Sequence, residues 1–145
     1  MPHVFVYGTL RRGEINDIKR LARRLMLSPP LLLGEARVRG RLVDFGDWPG
    51  LVEDGDARIL GEVYVVDDPL LAAMDAVEEY DPDGGSLFVR RPVDLQVAGQ
   101  ALCCHYYPIE PRLMGGAVPI DHDDWVAYRL ARDTGRADRI RQAAG

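Results

Sequence analysis

Between residues 36 and 42 the chain alternates strictly: Ala36, Val38, Gly40 and Leu42 fall on one side, Arg37, Arg39 and Arg41 on the other. A period of two places successive side chains on opposite faces of a strand, so this run requires a sheet with one face covered and one face wetted. The residues before it obey a different rule. Ile15, Ile18, Leu21, Leu25 and Met26 recur at helical spacing with basic residues between them, which predicts an amphipathic helix over 15–27 that stops before Pro29. The apolar stretch His3–Tyr7 predicts a first strand, 59–66 a further one, and 87–97 and 101–107 two more. Residues 44–56, rich in Gly, Asp and Pro, are expected to form a loop anchored by Trp48 and Leu51. Asp67 or Asp68 can cap a helix that begins at Pro69 and ends near Tyr80, ahead of Pro82 and two glycines. A last helix is expected from Asp123, with Trp125, Tyr128 and Arg132 along one side. Mostly non-parallel strands with two or three helices make an α+β fold.

At 145 residues the chain suits one domain with one core, residues 1–145. A hydrophobic fraction of 47% with 28% charged residues is that of a folded globular protein. A net charge of −5 argues against a nucleic-acid partner, whose phosphates call for a basic face. The first residues do not read as a secretion leader, and no apolar run is long enough to span a bilayer, so neither secretion nor a membrane partner is expected. Cys103 and Cys104 are neighbours that a strand would point in opposite directions, which disfavours a disulfide and fits a reducing cytoplasm. The same alternation keeps Cys103, Cys104 and His105 from converging on one metal ion, so no metal and no cofactor are expected. Ser28 and Ser86 lie outside any GxSxG context, and neither GxxxxGK[ST] nor GxGxxG occurs.

Two places could carry chemistry. On the helix after Asp67, Leu70, Leu71, Met74 and Val77 form an apolar stripe, and Glu78 lies about 50° from its centre, while Glu79 and Asp75 fall on the polar side. A carboxyl turned toward apolar packing has its charged form disfavoured, which prepares it for acid/base work near neutral pH. The plainer alternative is a boundary glutamate whose stem reaches water. The second place is Gly8-Thr9-Leu10, between the first strand and the first helix, where consecutive backbone amides can form a receptor for a carboxylate or phosphate; a plain turn is the alternative.

The segments VFVYGTLRRGEIND, GEVYVVDDPLLAAMDAVEEY, LFVRRPVDL, CCHYYP and VPIDHDDW, in this order from about residue 3 to 128, resemble the gamma-glutamylcyclotransferase-like family, in particular its short AIG2-like members. The resemblance implies a small, partly closed mixed or antiparallel β-barrel flanked by helices, with a pocket beside the first strand-turn-helix. It implies that Tyr7, Gly8, Thr9 and Leu10 bind the glutamyl end of a small γ-glutamyl substrate. It places the family's catalytic glutamate on Glu78. Phe88 and Arg90 fall on the family's Tyr-x-Arg strand, with Phe replacing Tyr, and Glu79 stands where the family often has Gly, its charge expected to alter the titration of Glu78. Of Tyr106 and Tyr107 one faces the ligand, and Tyr106 is assigned to that role. The implied reaction is cyclisation: the substrate's α-amine attacks its own γ-carbonyl, leaving 5-oxoproline and a free amine. A non-catalytic module holding an acidic amino-acid-like metabolite, and hydrolysis or transfer at the same site, are the alternatives. The leaving amine and the oligomeric state stay open.

Overall fold

A computed structural model describes residues 1–144. In chain order the elements are β1 (His3–Val6), α1 (Ile18–Arg24), β2 (Leu31–Asp44), β3 (Pro49–Val65), α2 (Asp68–Val77), β4 (Arg91–Val97), β5 (Gln100–Tyr106), β6 (Val118–Ile120) and α3 (Trp125–Ala144). The strands form one six-stranded sheet in the order β4-β5-β1-β3-β2-β6. All neighbours pair antiparallel except β1 and β5, which run parallel at Val4 and His105. The sheet curls into a half-barrel: Leu95 and Val97 of β4 join the same buried cluster as Ala36 and Val38 of β2, although the two strands are not hydrogen-bonded neighbours.

β1 is buried on both faces, which is why its sequence is continuously apolar rather than alternating. Phe5, with Tyr7 beyond the strand end, points into the curl with Ile59, Val63 and Trp125. Val4 and Val6 point outward, where α1 and α2 cover them with Ile18, Leu21, Leu70 and Met74. The alternation in β2 appears as expected: Ala36, Val38, Gly40 and Leu42 are buried, and the three arginines between them pair outward with Asp123, Asp56 and Asp54.

The stretch 44–56 departs from the expected loop. Only residues 45–48 turn; Pro49–Val52 pair with Arg41–Asp44, and Leu51 and Val52 are fully buried. Burial of those two side chains outweighs the turn-forming composition around them. Beyond Val52 the register shifts: Ala57 pairs with Gly40 while Val52 pairs with Arg41, so residues 53–56 bulge out of the ladder. The first helix is also shorter than its periodicity suggested. Asp17 caps it by accepting from the N–H groups of Lys19 at 2.8 Å and Arg20 at 3.4 Å, and Ile15, Leu25 and Met26 are exposed rather than on the packed face. β4 begins only at Arg91, because residues 87–90 run irregularly with Phe88 bridged to Ile109. Cys104 is buried and Cys103 exposed, as opposite faces of a strand require. No helix among the described residues is long and apolar enough to cross a membrane.

One buried ion pair ties the layers together. Arg11, just past the first turn, donates from Nε to Glu62 of β3 at 2.8 Å and from Nη1 to Asp124 at 2.8 Å. The other oxygen of Glu62 accepts from the Arg12 backbone N–H at 2.9 Å and from the Tyr64 hydroxyl at 3.1 Å. Asp124 in turn caps α3 through the Val126 N–H at 3.0 Å. Removing one member strands a buried charge, so Arg11→Ala should lower unfolding free energy by about 3–5 kcal/mol in urea titrations, whereas Arg39→Ala, whose ion pair is exposed, should cost less than about 1 kcal/mol.

Candidate active site

The first turn is shaped by a close approach. A Cβ on Gly8 would lie 2.7 Å from Cγ of Pro49, so only glycine lets the turn pack against the start of β3. Past Gly8 the chain folds back on itself: Arg11 N–H donates to the Gly8 carbonyl at 3.1 Å, Asn16 N–H to that of Thr9 at 2.9 Å and Ile18 N–H to that of Leu10 at 3.0 Å. The carbonyls are thereby occupied, while the N–H groups of Gly8, Thr9 and Leu10 donate to nothing among the described residues. Successive unpaired amides of this kind make a receptor for a negative oxygen.

Tyr7 sits at the junction of three strands' ends. Its hydroxyl donates to the Tyr107 carbonyl at 2.7 Å and accepts from the Leu51 N–H at 3.1 Å. Burial, with the nearby charge of Glu78, raises its pKa well above the usual phenol value, so it is a neutral hydrogen-bonding group at physiological pH.

α2 delivers Glu78 at its C-terminal end. Its last turn closes with the two bonds of a Schellman cap, Glu79 N–H to the Ala76 carbonyl at 3.1 Å and Tyr80 N–H to that of Asp75 at 2.9 Å. Glu79 carries the left-handed backbone of that motif, φ 53°. The position therefore suits glycine, the residue that the family resemblance implies there. Glu78 is the residue just before this reversal, and its carboxyl makes no hydrogen bond among the described residues. Burial pushes its pKa up to about 7. Glu79, expected to perturb it, is exposed and is not a cause of this shift.

The turn and Glu78 line one cavity of about 960 Å³. Tyr7, Gly8, Thr9, Leu10, Glu78 and Phe88 all border it. Two of the expected substrate-binding residues do not. Tyr106 faces the interior of the curl, and its hydroxyl donates at 3.1 Å to Glu53, a residue of the β3 bulge whose other oxygen pairs with Arg91. Tyr107, one residue on, lies on the opposite face and borders the cavity instead. Arg90 is held at 2.6 Å by Asp75 and lies over the Tyr80 ring.

Asp75 is thus not on a free polar face. One carboxylate oxygen accepts from the Tyr107 hydroxyl at 2.6 Å and the other pairs with Arg90. It lies one turn before Glu78, so this network fixes the end of the helix that presents the glutamate. The inward Glu62 and the Asp75 network escaped the sequence reading, although Glu62 shares its strand parity with Tyr64 and Val66, which marks it as a carboxylate pointing into packing. Among the described residues, no group of three His, Cys, Asp or Glu side chains could hold a metal ion.

The model of the family described as gamma-glutamyl cyclotransferase, AIG2-like, matches residues 4–127. Gamma-L-glutamyl-butirosin B gamma-glutamyl cyclotransferase of Niallia circulans is 37% identical over 138 residues, covering 93% of this chain and 82% of the relative. The gamma-glutamylcyclotransferase family protein YtfP of Citrobacter rodentium is 27% identical over 124 residues, covering 85% of this chain and 94% of that protein. Among solved structures, that of an AIG2-like protein from Mus musculus superposes with a TM-score of 0.67 at 27% identity, covering 86% of this chain and 88% of the other.

Two outcomes follow from the geometry. Glu78 keeps its proton in the fold between about pH 4.5 and 7, where the unfolded chain has released it, so stability falls as pH rises through that window and stays lower above it. Glu78→Gln has no such group and should gain about 1–3 kcal/mol on wild type between pH 4 and pH 8 in chemical denaturation. Glu79→Gly should relieve the left-handed strain and raise unfolding free energy by about 0.5–1 kcal/mol, net of the greater freedom of glycine in the unfolded chain.

Proposed function

Since the chain belongs to the gamma-glutamyl cyclotransferase, AIG2-like family, we propose that it converts a γ-glutamyl amide to 5-oxoproline and a free amine, with Glu78 as the proton-transfer group. The observation that carries the assignment of Glu78 is its place in the same cavity as the unpaired amides of Gly8, Thr9 and Leu10, with a carboxyl whose pKa is raised to about 7. The amides hold the α-carboxylate of the glutamyl group or the oxyanion that develops on its γ-carbonyl. Tyr7, Phe88 and Tyr107 wall the cavity and confine the chain to a folded conformer, in which the α-nitrogen lies against the γ-carbon.

The reaction needs no second substrate. The α-ammonium loses one proton to solvent, and the free amine attacks the γ-carbonyl carbon. Glu78, ionised, takes the remaining excess proton from the attacking nitrogen and returns it to the leaving nitrogen as the C–N bond breaks. The five-membered lactam and the amine separate, and the amine regains from water the proton first released. A base whose pKa lies near neutrality can both take and return a proton at low cost, which is what this shuttle requires.

A holding module would share the cavity but not the turnover. Glu78→Gln keeps the shape of the side chain and removes its proton chemistry. With a γ-glutamyl amide, wild type should release 5-oxoproline, and Glu78→Gln should lower kcat by at least about 100-fold with KM little changed. For wild type, kcat/KM should rise with pH along a limb centred near 7 that is absent from the residual activity of the variant. Near wild-type turnover by the variant would overturn the assignment of Glu78; binding without turnover by wild type would favour the holding module.

A further inference from the structure

The cavity is larger than a glutamyl group requires: its volume of about 960 Å³ lies at the upper end of pockets that enclose whole drug-sized ligands. From the turn and Glu78 it continues outward to the β2–β3 turn on one side and α3 on the other, where Glu14, Asp47, Trp48, Arg129, Arg132 and Asp133 line it. With the glutamyl group at the amides of the first turn, this outer half receives whatever is attached through the scissile nitrogen. Resting on the cyclotransferase reading, we propose that the outer half is a leaving-group subsite that selects an amine bearing a further positive charge and no carboxylate.

Three independent features point to this class. The first is that the cations of the subsite are already spent. Arg129 forks onto both oxygens of Glu14 at 3.0 and 2.8 Å and also pairs with Asp133; Arg132 pairs with Asp44 at 3.0 Å and with Asp133 at 3.0 Å. A bidentate guanidinium–carboxylate pair against the nearly buried Glu14 is a strong one, so a carboxylate on the leaving group would have to compete with it. The second is that Asp47 and Glu79 border the cavity with no ion-pair partner among the described residues, leaving the lining with more acid than base. Both side chains are exposed at the cavity rim, where an excess of negative charge attracts cations and repels anions in a salt-dependent way.

The third feature is aromatic. Trp48 is 44% exposed at the tip of the turn, its ring stacked on Phe45 at 6.4 Å between centroids, so one face is backed by protein while the residue stays open to solvent beside Asp47. An indole face adjoining a carboxylate is a cation-binding arrangement.

Three γ-glutamyl amides built on the same four-carbon chain test the charge preference directly: those of putrescine, butylamine and γ-aminobutyrate, which end in an ammonium, a methyl and a carboxylate. With 5-oxoproline as the readout, kcat/KM should be highest for the putrescine amide and at least tenfold lower for the γ-aminobutyrate amide, and the ratio should shrink as salt is raised from 20 mM to 500 mM. Asp47→Lys should reduce that ratio at least fivefold, and Trp48→Ala should raise KM for the putrescine amide more than for the butylamine amide. Equal rates for the charged pair, or a preference for the carboxylate, with 5-oxoproline still released, would overturn the subsite while leaving the cyclotransferase reading intact. Release of 5-oxoproline from none of the three would overturn that reading instead, and the calorimetric affinities of the same amides would then decide the subsite by the same order.

Discussion

The pairing of Arg11 with Glu62 and Asp124 fixes the first turn, one wall of the cavity, against the sheet and α3. A guanidinium buried beside the first turn can be tolerated only if its charge is met, and the two carboxylates that meet it come from the central strand β3 and from the cap of α3. The turn can therefore neither lift off the sheet nor slide along it without exposing a charge to apolar packing. Because Arg12 N–H and the Tyr64 hydroxyl share Glu62, the same carboxylate also sets the orientation of the backbone leaving the turn. The amides of Gly8, Thr9 and Leu10 stay unpaired because the chain around them is held elsewhere, with Pro49 filling the space in which a side chain on Gly8 would sit.

Much of this fold was legible in short-range pattern. The alternation at 36–42 demands a covered sheet, and the unbroken apolar run at 3–7 suits a strand enclosed on both faces. Patterns failed where a tertiary contact outweighed them. Pro49 and Gly50 signal a turn, yet the burial of Leu51 and Val52 draws them into a ladder, and the extra residues are expelled as the bulge at 53–56. Ile15 and Leu25 match helical spacing, but Asp17 caps the helix after the first of them, and the reversal at Met26, φ 56°, follows directly on the second.

The site divides in the same way. Glu78 could be picked out because its position on a helical wheel is a local property, and the wheel places it near Leu71 and Met74. Asp75 could not, since its partners Tyr107 and Arg90 come from segments 32 and 15 residues away, and only the folded chain brings them together. The choice between Tyr106 and Tyr107 turned on strand parity. Inside the curl the Tyr106 hydroxyl is taken up by Glu53, a bulge residue with no periodicity to reveal it, while Tyr107 on the other face borders the cavity.

The hydroxyl of Tyr7 has a consequence for the time order of folding. It is bonded to Leu51 and to Tyr107, 44 and 100 residues further along the chain, and the parallel contact of β1 with β5 spans a similar distance. Pairings so remote in sequence form slowly and late. On the ribosome, at roughly 5–20 residues per second, the apolar β1 emerges several seconds or more before its second edge can be covered. An unfinished chain therefore has no enclosed cavity, and in that interval β1 presents the kind of exposed hydrophobic strand that chaperones capture.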